Sequence, residues 1–99
     1  MGIIILRMTI TTVADFTHSA SAQPIATASQ ECRRLWLTAL SIAARFGDVN
    51  VAAARGIELA ADRITTIAAS DSDPTDTIHL DQCYLYVPSG STVSVTWGS

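Results

Sequence analysis

The clearest pattern in the chain is a two-residue alternation over its last third. Ile78 and Leu80 alternate with Thr77, His79 and Asp81. Cys83, Leu85 and Val87 alternate with Tyr84 and Tyr86, and Val93, Val95 and Trp97 alternate with Ser94 and Thr96. A period of two sends successive side chains to opposite faces, so each stretch predicts a half-buried β-strand. Pro88-Ser89-Gly90-Ser91 lies between the last two stretches. Those residues form turns, and the pair reads as a β-hairpin.

Upstream the pattern is less decisive. Leu35, Leu37 and Ala39 share one parity, and Arg34, Trp36 and Thr38 share the other. Leu, Ala and Arg are also good helix formers, so strand and helix both stay open for residues 31–46. Gly47-Asp48 predicts a turn, and Arg55-Gly56 a second break. Val49 and Val51 alternate, Ile57 and Leu59 flank Glu58, and residues 63–69 form a β-branched run. Turn signals recur about every ten residues, a spacing typical of sandwiches and barrels. The expectation is a mainly β chain, a small antiparallel β-sandwich or barrel.

The N-terminal residues 3–13 are rich in β-branched side chains and carry no helix cap, so they read as a strand or extended arm. Residues 15–30 are small, polar and aperiodic, which predicts a linking segment. The chain therefore divides into an extended arm and loop over residues 1–30 and a compact β domain over residues 31–99. An arm joined through such a segment can reach a neighbour.

Composition narrows the function classes. The chain has 99 residues, 48% hydrophobic and only 15% charged. A globular domain usually carries about 25% charged residues. Ser, Thr and Ala fill the gap, giving a surface that can be covered without stranding many charges. One domain of this size has a small core, and oligomerisation is a common supplement. Net charge is −3 and all six cations are arginines scattered along the chain. Nucleic-acid binding is disfavoured, because it needs a basic footprint. No apolar run reaches the length of a membrane span or of a signal-peptide core. A protein made in the cytoplasm without export is the expectation.

Catalytic signals are weak. The many serines lack a Gly-x-Ser-x-Gly elbow, and no phosphate-binding glycine loop is present. His79 lies near Asp76 and Asp81 in sequence, which would suit an acid–base pair, yet its parity places it on a polar face. Asp71, Asp73 and Asp76 could supply oxygen ligands to calcium, but the spacing lacks the EF-hand glycine and terminal Glu, and a solvated acidic turn is favoured. Cys32 and Cys83 have no zinc-finger spacing. They read as small buried apolar residues, with a disulfide between them left open. No enzyme activity, metal or cofactor is expected.

Adhesive candidates are clearer. Ile3, Ile4, Ile5, Leu6, Met8 and Ile10 make an apolar arm with little charge to protect it as a lone edge strand. Trp36 points opposite to Leu35 and Leu37, and Tyr84 and Tyr86 point opposite to Leu85. Exposed Trp and Tyr are enriched in interface hot spots.

The order of short motifs carries a resemblance. Arg45-Phe46-Gly47-Asp48 precedes Val49 and Val51, then Gly56-Ile57-Glu58-Leu59. Thr77-Ile78-His79-Leu80 and Leu85-Tyr86-Val87 follow, then a glycine turn and Thr92-Val93-Ser94-Val95-Thr96-Trp97. Over residues 32–97 this resembles a small β domain of tailed-bacteriophage virion proteins. The chain departs from that pattern at Ala60-Ala61-Asp62, where a Pro-Gly-like turn is usual. The resemblance implies a virion location and a capsid decoration or cement role, with the major capsid protein or another virion protein as partner. It favours a homo-oligomer, with a trimer suited to a local threefold axis. A tail, neck or fibre component is the alternative within that group. A carbohydrate- or ligand-binding β module using Trp36 and the tyrosines is the alternative outside it.

Overall fold

The computed structural model describes residues 9–70, 72, 73 and 75–99. Ten strands follow in chain order: β1 (Ile10–Thr17), β2 (Gln23–Pro24), β3 (Glu31–Cys32), β4 (Arg34–Leu40), β5 (Ala44–Gly47), β6 (Ile57–Leu59), β7 (Ile64–Ala68), β8 (Ile78–His79), β9 (Tyr84–Tyr86) and β10 (Thr92–Gly98). One 3₁₀ turn spans Leu80–Gln82, and there is no α-helix among the described residues. The mainly β, antiparallel sandwich expected from the alternation is what the chain forms.

Eight strands build two sheets. The first has the order β1-β10-β4-β7 and the second β2-β9-β5-β6, with every pairing antiparallel. Four connections, β1 to β2, β4 to β5, β6 to β7 and β9 to β10, cross from one sheet to the other. This double-wound, eight-stranded arrangement is a jelly roll. A short ribbon of β3 and β8 closes one end. β3 and β4 are separated only by Arg33, whose N–H donates to the Gly98 carbonyl and whose carbonyl accepts from the Ala69 N–H, both at 2.8 Å.

The strand reading of residues 31–46 prevails because β4 has a partner on each side. Leu35, Leu37 and Ala39 are 0% exposed and lie in register with Val93, Val95 and Trp97 on β10. The second sheet contributes Ala44, Phe46, Leu59, Leu85 and Val87 to the same core. Each fully buried Leu or Val stabilises the fold by roughly 1.5–3 kcal/mol relative to exposure. Helical propensity differences of a few tenths of a kcal/mol per residue cannot compete with that burial.

Three expectations change. The 88–91 turn does not make a hairpin, because β9 and β10 belong to different sheets. Period-two alternation is the same whether two inward faces lie side by side or face each other across a core. Here Ser91 fixes the crossing: its hydroxyl donates to the Ile42 carbonyl at 2.6 Å, tying the link to the parallel crossover between β4 and β5. Residues 10–17 are an edge strand of the body, with Ile10 opposite Gly98 and Thr17 opposite Thr92. Residues 23–26 also belong to the body, for β2 pairs with β9 and Ile25 is buried. The boundary at residue 30 therefore does not separate an arm from a body over these residues. The remaining arm candidates, Ile3, Ile4, Ile5, Leu6 and Met8, lie outside the described residues.

The Ala60-Ala61-Asp62 departure has a local solution. Asp62 adopts the left-handed backbone (φ 59°) and donates its N–H to the Ala39 carbonyl at 2.7 Å. Its carboxylate accepts the N–H of Ser41, itself at φ 75°. Asp tolerates this region better than most residues, so the two crossovers are stitched together without glycine.

Candidate interaction surfaces

The antiparallel registers decide which side chains share a face. On the first sheet Leu35, Leu37, Val93 and Val95 point inward, so Trp36, Thr38, Ser94 and Thr96 point outward. Thr12, Thr96, Trp36 and Thr66 form one row across all four strands. Ile10 and Arg34 stand one row away, and Thr38 pairs with Ile64 on the other side. Ile64 is 72% exposed, Ile10 62% and Leu40 40%. The outward paired positions in these registers are Thr, Ser, Ile, Leu, Trp, Gly, Ala or Arg34, and the exposed Asp15 lies in the β1 bulge between Val13 and Phe16.

The outer face of the second sheet is chemically different. Tyr86 lies beside Arg45, and Arg45 beside Glu58. The Arg45 guanidinium also donates to the Gly56 carbonyl at 3.2 Å. Tyr84 lies beside Gly47 and Pro24, so its ring has small neighbours on both sides. Both tyrosines are half-buried. The sequence candidates are thus divided. Ile10 and Trp36 share the first sheet's outer face, while Tyr84 and Tyr86 occupy the opposite side of the sandwich.

A cleft of about 550 Å³ opens where the edge strands β1 and β2 diverge. Val13, Phe16 and Trp97 line one wall, and Ile25, Leu80 and the 26–30 segment line the other. The alternation did not reveal this cleft, because both walls include residues assigned to the linking segment. Ile25 is the available signal, the one large apolar residue between Phe16 and Glu31. Smaller hollows of about 340 Å³ and 270 Å³ lie beside the 48–56 loop and beside Tyr86.

The polar clusters have structural work. The Arg33 guanidinium donates to the carbonyls of Ser70, Asp73 and Asp76, drawing these three groups around one cation. Asp73 accepts the hydroxyl of Thr75 at 2.6 Å and its N–H at 2.9 Å. Those bonds, the hydroxyl first, hold the Asp73 carboxyl below the ordinary aspartate range. The Asp76 carboxylate accepts the Ser70 N–H at 2.7 Å. Asp73 and Asp76 are engaged in these turn contacts, Asp71 lies outside the described residues, and no group of metal-ligating side chains occurs among the described residues.

His79 meets Glu31 rather than Asp76 or Asp81. Its Nδ1 lies 3.3 Å from Glu31 Oε1, and the Thr77 hydroxyl donates to the same oxygen at 3.1 Å. Glu31 and His79 are paired on the β3–β8 ribbon and Thr77 directly precedes β8, so cross-strand pairing outweighs sequence proximity. His18 donates from Nδ1 to the Val87 carbonyl at 2.8 Å. Cys32 and Cys83 are both free thiols. Burial pushes Cys32 up to about 11, with Cys83 nearby adding to the shift and the Arg34 N–H opposing it. Burial likewise raises Cys83, assisted by Asp81. Thiols raised in this way are poor nucleophiles near neutral pH.

No protein-family model, curated protein or solved structure matches the chain. No helix among the described residues is long and apolar enough to cross a membrane.

Proposed function

We propose that this chain is a non-enzymatic structural module that adheres through the outer face of its first sheet. The observation that carries this reading is the four-strand row centred on Trp36, flanked by threonines and by the exposed Ile10, Leu40 and Ile64. A sheet face with an aromatic at its centre, little charge and many short side chains loses little on dehydration and little side-chain entropy on contact. Apolar burial then supplies most of the adhesion energy.

Together with the motif order described above, this face supports a bacteriophage virion role. The preferred role is a capsid decoration or cement protein that binds the outer shell and ties capsid subunits together. Weak contacts repeated over a lattice gain avidity. Counting the chain in purified particles by quantitative mass spectrometry tests the assignment. Copies in the hundreds support decoration, a handful supports the tail, neck or fibre alternative, and absence from particles rejects the virion role.

Trp36 among hydroxyls also favours a second reading, a carbohydrate-binding platform, since sugar rings stack on aromatic faces. Saturable binding on a glycan array, abolished by Trp36→Ala, would select it over shell binding.

A further inference from the structure

We propose that the cleft between β1 and residues 24–30 receives the apolar N-terminal segment of a second copy of this chain. The inference rests on the adhesive reading above and assigns the self-association site within it.

The receiving side has two matched features. β1 is the terminal strand of its sheet, paired only with β10 among the described residues, so its other edge offers main-chain donors and acceptors. Beside that edge lies the 550 Å³ cleft, with Val13, Phe16, Ile25, Leu80 and Trp97 in its walls. A strand laid along β1 would satisfy the edge and send every second side chain into the cleft.

The occupant is chosen by its chemistry and by the chain that leads to it. Ile3-Ile4-Ile5-Leu6 is an unbroken run of β-compatible apolar residues. Ile3 and Ile5 share one parity, so both can enter the cleft of the strand they join. Folding back onto the segment's own β1 would require a tight turn with φ > 0 at its centre. The connecting residues Leu6-Arg7-Met8-Thr9-Ile10-Thr11-Thr12 contain no Gly, Asn, Asp or Pro to make one. The sequence thus offers no turn for a fold-back, and another molecule's edge is the partner proposed for the segment. The eight residues before Thr9 extend to roughly 26 Å, enough to lie along the whole of β1. Exchange between like copies closes into a symmetric assembly.

Sedimentation of three proteins tests this: the full chain, a chain lacking residues 1–8, and the full chain carrying Ala28→Arg on the exposed rim of the cleft. The full chain should self-associate at micromolar concentration. The truncated chain and Ala28→Arg should each sediment as monomers with thermal midpoints like the full chain. Mixed together, they should form a complex, because one retains the cleft and the other the segment. A full chain that stays monomeric, or a truncated chain that associates as before, overturns the exchange. If the truncated chain still associates and Trp36→Ala abolishes that association, the exchange fails while adhesion through the sheet face survives. If the full chain is monomeric and absent from particles, both fail.

Discussion

The two sheets of this jelly roll use the same alternation to different ends. In the first sheet β1, β4 and β10 run eight, seven and seven residues and pair along nearly their whole length. In the second sheet the strands run two, four, three and three residues. The long strands make a broad face with Trp36 at its centre. The short ones leave their shape to loops, as in the 48–56 connection, where Asp48 accepts the N–H groups of Asn50 and Val51 and Val51 tucks into the body. Regular pairing builds a broad face, whereas short strands with long connections leave local hollows beside charged positions such as Arg45 and Glu58.

Breaking the first sheet should cost the most. Leu37→Ala removes a 0%-exposed side chain between β10 and β7, and should destabilise the fold by about 2–5 kcal/mol. Urea unfolding measures this, and a loss below about 1 kcal/mol would contradict the assigned core.

The second sheet should be most sensitive at a loop. Gly56 holds φ at +109°, and an added Cβ would sit 2.6 Å from the Phe46 carbonyl oxygen and 2.7 Å from Val51 Cγ2. Gly56→Ala should cost about 2 kcal/mol or more in the same urea titration. A neutral result would show that the 48–56 loop bears little on the second sheet.

A smaller effect is expected where the sandwich end is closed. Arg33→Ala releases the three carbonyls of the 70–76 loop, and should cost about 1–2 kcal/mol while raising amide exchange there selectively. Uniform exchange along the chain would mean that the loop is held by something else.

Acidification should have the slightest effect. The folded-state value of Asp73 lies below its ordinary one. Its contribution is therefore present above the unfolded value and lost as pH falls through the folded value. Because the carboxylate is solvent-exposed, the thermal midpoint should fall only marginally over that acidic window, with exchange rising first at Asp73–Thr75. A marked loss of global stability traced to Asp73 would contradict its exposed placement.

Legibility in the sequence followed length and regularity. β10, with Val93, Val95 and Trp97 on one parity, was readable because seven alternating residues leave little choice. β2 was not, since two residues have no period, and Pro24 argues against a strand in a polar stretch. The partners of β9 and β10 were unreadable for a different reason. Alternation gives the face of a side chain but not the sheet that the face looks toward, so a sheet crossing and a hairpin share one pattern. His79 and Glu31 lie 48 positions apart, so only the β3–β8 pairing could bring them together. Among the adhesive candidates, Trp36, Tyr84 and Tyr86 were found by parity. Their division between opposite faces needed the strand order, and the cleft beside β1 needed both edges at once.

Retention on particles tests the proposed adhesion through the first sheet most directly. Copies per purified particle would be counted for the parent chain, Trp36→Ala and Tyr86→Ala, each checked for an unchanged thermal midpoint. The parent and Tyr86→Ala should be retained alike, and Trp36→Ala should fall by about tenfold or more. Full retention of Trp36→Ala, or a parent chain missing from particles, would contradict the account.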